Sequence, residues 1–131
     1  MHKAAVFLLL FGMLLSGADS KRKPPKGVDV LILEVTAHRG EGIIAVDGKL
    51  RNTGTKSLNR LTLLFDFFAP GKVPLTTQKF VIDEEVLEPG EEAVFRGQLI
   101  DPVRAVRFRI QAEDGSGRYV KIDRNELLPI E

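Results

Sequence analysis

From Val28 onward, apolar residues recur at every second position far more often than at the 3.6-residue spacing of a helix. Ile44, Val46 and Leu50 alternate with Ala45, Asp47 and Lys49, and Leu61, Leu63, Phe65 and Phe67 alternate with Thr62, Leu64 and Asp66. Phe95 and Leu99 follow, and then Val106, Phe108, Ile110 and Ala112 stand against Arg107, Arg109 and Gln111. Successive side chains of a strand point to opposite faces, so each run predicts a strand with one side buried. Residues 75–87 carry the weakest pattern, with Phe80 and Ile82 predicting a short strand before the acidic run Asp83-Glu84-Glu85.

Turn signals separate these runs: Arg39-Gly40-Glu41-Gly42, Thr53-Gly54, Pro70-Gly71, Pro89-Gly90, Asp101-Pro102 and Asp114-Gly115-Ser116-Gly117. Their spacing of 12 to 19 residues predicts an antiparallel β-sandwich of about seven strands. No stretch has the helical period over the ten or more residues that a βαβ unit needs, which argues against a parallel α/β sheet. The sandwich is expected over residues 28–123, with 124–131 as a C-terminal tail.

The N-terminus breaks the alternation. Met1, His2 and Lys3 form a short basic start, and residues 4–15 are an uninterrupted run of twelve apolar or Gly residues. A spanning helix needs about 20 apolar residues, so the run is short for a membrane span. Ser16-Gly17-Ala18 supplies small residues where signal peptidase reads them, so residues 1–18 are expected to be a cleaved signal peptide, with Ser20 the second-best cut. A lipoprotein needs Cys where Ala18 stands. Residues 19–27, with the stretch KRKPPK, read as a basic, proline-bearing linker. The expected destination is the periplasm or the exterior, with no stable membrane span after cleavage.

Cleavage changes the charge and the chemistry. Of 19 basic and 18 acidic residues, Lys3 leaves with the leader, so the 113-residue remainder is formally neutral. Net charge therefore predicts neither nucleic-acid binding nor attraction to anionic membranes. There is no Cys, and both Met lie in the leader, so disulfides, thiolates and thioether copper ligands are excluded. A chain of this size can bury enough surface to fold without staples.

Gly48-Lys49-Leu50-Arg51-Asn52-Thr53-Gly54, the strand ending Phe65-Asp66-Phe67-Phe68-Ala69, and Leu87-Glu88-Pro89-Gly90-Glu91-Glu92-Ala93-Val94-Phe95 together resemble the FxLYD family. The resemblance covers residues 48–110, and the namesake motif falls on Phe65, Phe67, Phe68 and Ala69. The family's Phe is kept, whereas Phe67, Phe68 and Ala69 stand where it has Leu, Tyr and Asp. It implies an immunoglobulin-like sandwich in an exported or surface-attached bacterial protein, with no reaction attached. The same residues have a local reading: Asn bonds its own backbone and Gly accepts positive φ, so Asn52-Thr53-Gly54 ends a strand sharply.

Catalytic patterns are sparse. After cleavage His38 is the one histidine, so neither a Cys-His pair nor a histidine-rich metal site can be built. Ser20, Ser57 and Ser116 sit in no nucleophile-elbow pattern, and His38 beside Arg39-Gly40 reads as an exposed turn residue. Asp83, Glu84, Glu85, Glu88, Glu91 and Glu92 cluster in loops, where a charge run is usually a solvated edge, and their spacing matches no calcium loop. Asp114-Gly115-Ser116-Gly117 is a hairpin turn, since no helix start follows to make it a phosphate cradle. No enzyme activity and no cofactor are expected.

One face is informative. With Leu61, Leu63, Phe65 and Phe67 inward, Leu64 and Phe68 face outward beside Thr62 and Asp66. In the usual sandwich this strand shares its sheet with residues 106–112 and the strand near Tyr119, which places Arg107, Arg109, Tyr119 and Lys121 on the same face. Counting Asp66, that patch carries a charge of +2. Two readings compete for it. Either Arg107 or Arg109 pairs with Asp66 while Leu127, Leu128 and Ile130 cover Leu64 and Phe68, or the face receives a protein partner with an acidic, partly apolar surface. The expected function is an exported interaction module; the alternative is a binder of a small ligand, carbohydrate or calcium.

Overall fold

A computed structural model describes residues 27–131. The expected leader, its cut site and the KRKPPK stretch lie outside the described residues. The described residues form ten strands and no helix: β1 (Val30–Arg39), β2 (Ile43–Asn52), β3 (Leu58–Asn59), β4 (Thr62–Ala69), β5 (Val73–Val81), β6 (Val86–Leu87), β7 (Glu92–Ile100), β8 (Arg107–Glu113), β9 (Tyr119–Val120) and β10 (Leu128–Pro129). Six are long, and four are two-residue pieces. One antiparallel sheet has the order β1-β2-β7 and the other β10-β8-β4-β5, with β9 also beside β8; β3 and β6 form a small third ladder. The chain changes sheet after β2, after β5 and after β7, which gives an all-β, immunoglobulin-like sandwich.

The alternating runs behave as their period requires. Ile44, Val46 and Leu50 of β2, Leu63, Phe65 and Phe67 of β4, and Phe108, Ile110 and Ala112 of β8 are buried in one core. Phe65 and Phe108 meet across the β4–β8 ladder with ring centroids 5.9 Å apart. Val106 departs from the pattern: it is 39% exposed, while Ala105 is fully buried. The β4–β8 ladder begins at Arg107, and Val106 lies just beyond it, donating to the Phe68 carbonyl and accepting from Ile130.

β5 runs for nine residues rather than the short strand expected, and most of them are exposed. It is the outer strand of its sheet, so only part of one face packs and the period-two signal fades. Phe80 supplies that packing by lying against Gly97 of β7: a Cβ at position 97 would sit 2.3 Å from the Phe80 ring, so a larger residue there would have to displace the ring. Asn52, fully buried, ends β2 as its turn chemistry predicts. Its Oδ1 accepts from Gly54 N–H at 3.0 Å, and Nδ2 donates to the carbonyls of Lys56 and Leu87, both at 2.9 Å.

Residues 124–131, expected as a tail, are part of the sandwich. After β9 the chain leaves β8 and runs beside β1, where Asp29 and Val30 N–H donate to the Lys121 carbonyl. Asp123 Oδ1 accepts from Ile32 N–H at 2.8 Å, where the β1–β2 register shifts. Leu128-Pro129 then returns to β8, and Glu131 bonds Ala37 and Arg39 of β1. This segment straps the two sheets together, with Leu128 and Ile130 packed on the core. Its apolar residues are too few to show a period, which is why the sequence pattern leaves it outside the domain.

Candidate interaction face

The outer face of the β10-β8-β4-β5 sheet is set by register. Leu64 stands opposite Gln111, Asp66 opposite Arg109 and Phe68 opposite Arg107, while Thr77 of β5 stands opposite Asp66. Strand parity turns all of these side chains away from the core.

At its centre is a carboxylate only 7% exposed. Asp66 Oδ1 accepts from the Thr77 hydroxyl at 2.6 Å; Oδ2 accepts from Gln111 Nε2 at 2.6 Å and from Arg109 Nη2 and Nε at 3.0 and 3.2 Å. Burial alone pushes the Asp66 pKa up, but the bonds from Thr77, Gln111 and Arg109 together outweigh it and hold the carboxyl below its ordinary value. The same contact fixes Arg109, whose guanidinium lies over the Phe68 ring at 5.3 Å from its centroid. Phe68 faces outward by parity yet is 8% exposed. Arg109 is therefore a positioned, half-buried cation, paired with Asp66 as the first of the two readings of this face expected.

The remaining candidates divide by location. Arg107 is exposed beside this cluster, with no ion-pair partner among the described residues, and Leu64 is half-buried two register pairs from Asp66. Tyr119, 67% exposed, stands opposite Glu113 at the far end of the sheet. Lys121 lies past β9, where its backbone N–H donates to Asp29. Phe68, Arg107 and Arg109 thus form one group, and Tyr119 and Lys121 another.

Three open depressions indent this face, of about 920, 350 and 250 Å³, and Arg109 lines each of them. The largest has Phe68 at its floor and lies between the β4–β5 hairpin, with Lys72, and the strap residues Asn125, Glu126 and Leu127. Gly71, at φ 80°, turns that hairpin, and Lys72 continues in the left-handed region at φ 62°. Sequence reasoning missed Lys72 and Asn125 as wall residues. The Pro70-Gly71 signal located the hairpin, but nothing in the pattern places the strap beside it.

The chemistry considered elsewhere is dispersed. Glu85 pairs with Arg60, Glu88 accepts from the Ser57 hydroxyl, Glu91 accepts from the Glu88 backbone, and Glu92 pairs with Arg51. His38 Nδ1 lies 3.5 Å from Glu131. Asp114 accepts from the N–H groups of Ser116 and Arg118, as a hairpin turn requires. Among the described residues, no three His, Asp or Glu side chains gather as metal ligands, and no helix is long and apolar enough to cross a membrane. No protein-family model matches this chain, and no curated protein matches it either.

Proposed function

We propose that this chain is an exported, non-enzymatic interaction module of the cell envelope or extracellular space, and that its outer β10-β8-β4-β5 face meets a protein partner. The observation that carries the reading is Arg109. A buried carboxylate and an aromatic ring hold its guanidinium where all three depressions share it, beside an Arg107 with no ion-pair partner among the described residues. Arginine and aromatic side chains held in place before binding are the usual anchors of protein interfaces, because little rotamer freedom remains to be lost. The resemblance to FxLYD domains and the N-terminal apolar run belong to the same proposal and supply its envelope setting.

A second reading, a small-ligand binder, draws on the largest depression, since about 300–1,000 Å³ is the usual range for such sites. Lys72, Arg107 and Arg109 outnumber its one carboxylate, Glu126, so its charge suits an anion and opposes calcium.

The test is site-specific photo-cross-linking of the full chain, expressed with its leader in an envelope-bearing host. A cross-linker at Arg107 is expected to capture a discrete protein, whereas one at Arg96, exposed on the other sheet, is expected to capture none. Capture from Arg96 and not from Arg107 contradicts the reading.

A further inference from the structure

On the reading that this face binds a protein, we infer that its occupant is an extended acidic segment, lying along β8 between the β4–β5 hairpin and the C-terminal strap. Two independent features lead there. The first is a gap in the β8 ladder. β9 pairs with Ala112 and Glu113, and β10 pairs with Arg107 and Phe108, so Arg109, Ile110 and Gln111 have no strand partner on that side. The strap bows away to β1 in between, and the smallest depression opens there, lined by Gln111, Tyr119, Ile122 and Asn125. Asn125 also lines the largest depression, so the two lie side by side along one strand.

The second feature is charge. The large depression presents Lys72 and Arg107, neither with an ion-pair partner among the described residues, together with Arg109; Glu126 is the opposing carboxylate. Asp66 engages Nε and Nη2 of Arg109, and Nη1 has no partner among the described residues. That leaves one edge of a fixed guanidinium to meet a second carboxylate. Phe68, Val106 and Leu127 supply apolar wall between these cations. A segment in strand conformation projects side chains alternately. Acidic side chains on one side therefore meet Lys72, Arg107 and Arg109, while the backbone follows the unpaired stretch of β8. Asp66 acts here as a positioning residue: it aims Arg109 and does not meet the occupant.

The experiment uses the full chain and a fluorescent peptide of about eight residues alternating Glu and Leu, with the Gln/Leu peptide of equal length as control. The Glu/Leu peptide is expected to bind. Binding is expected to weaken at least about tenfold in the Lys72→Gln/Arg107→Gln variant, and to weaken further from about 50 to 300 mM salt. Arg96→Gln, exposed on the opposite sheet, is expected to change it by less than about twofold. Equal binding of the Gln/Leu peptide, or an unchanged affinity in the double variant, overturns the inference. So does binding to vesicles rich in anionic phospholipid without binding to the peptide. Both substituted cations are exposed, so the variant is expected to keep the parent's circular dichroism and urea midpoint. If the peptide fails while a cross-linker at Arg107 still captures a protein, the acidic-segment inference falls and the interaction reading stands. If both fail, both fall.

Discussion

The side chain of Gln78 on β5 pairs with the backbone of Ile100 on β7 as a strand residue would: Nε2 donates to the Ile100 carbonyl at 2.7 Å, and Oε1 accepts from its N–H at 2.9 Å. One amide therefore bridges the edges of two different sheets, beside the Phe80 ring that packs against Gly97. Each such bond contributes about 0.5–1.5 kcal/mol net, so Gln78→Ala is expected to lower stability by about 1–3 kcal/mol. The Ile100 amide is expected to exchange its hydrogen faster in the variant. Unchanged exchange at Ile100 would show that the bridge does not hold this edge in solution.

Asp66 gives the fold a particular response to acid. Its pKa is held below the ordinary carboxylate value, so its contribution is complete above the unfolded value of about 3.9 and is lost as pH falls through the folded value. Asp66→Asn, which gives up charge-assisted bonds from Arg109 and Gln111, is expected to lose about 1.5–3 kcal/mol at neutral pH. The gap between parent and variant should then close as pH falls toward about 2. Urea midpoints measured across that range decide the matter, and a gap that widens in acid contradicts the assignment.

Much of this was legible in the sequence, for a physical reason. A strand buried on one face must alternate, so β2, β4 and β8 announced their inward residues, and β4 parity placed Leu64, Asp66 and Phe68 on the other side. The Asp66–Arg109 pair was open to inference as a cross-strand contact once the two strands shared a sheet. What periodicity does not encode is contact through loops. The strap's return to β8, the gap opposite Ile110 and the nearness of Lys72 to Leu127 depend on where irregular segments run. Nor does parity give burial: Phe68 points outward and is covered all the same.

Truncation tests the core assignment. Phe65 and Phe67 are fully buried, and replacing either by Ala removes a ring from a packed interior, at a cost of about 3–5 kcal/mol. A shift in the denaturation midpoint well short of that would place the residue outside the core.

Val103 carries a strain that a substitution can relieve. It is a β-branched residue at φ 66°, 78% exposed, in the loop where Asp101 accepts its N–H and also holds Arg39. The left-handed region costs an ordinary L-residue about 1–2 kcal/mol, and Asn tolerates it better. Val103→Asn is therefore expected to raise stability by roughly 1 kcal/mol in thermal melts, and a loss of stability would mean that Val103 packs against something.

The strap should behave as structure. Deleting residues 128–131 removes Leu128 and Ile130 from the core together with the bonds from Glu131 to Ala37 and Arg39. A marked drop in the urea midpoint is expected, and an unchanged midpoint would return the segment to the status of a tail.

The most direct test of the interaction account is an amide chemical-shift map of the isotope-labelled chain titrated with the Glu/Leu peptide. The account predicts shifts that concentrate at Lys72, Arg107, Arg109, Ile110, Asn125 and Leu127, with the outer face of the β1-β2-β7 sheet silent. Shifts that centre on Asp47, Lys49, Val94 and Arg96 of that opposite face, or no shifts at all, would contradict it.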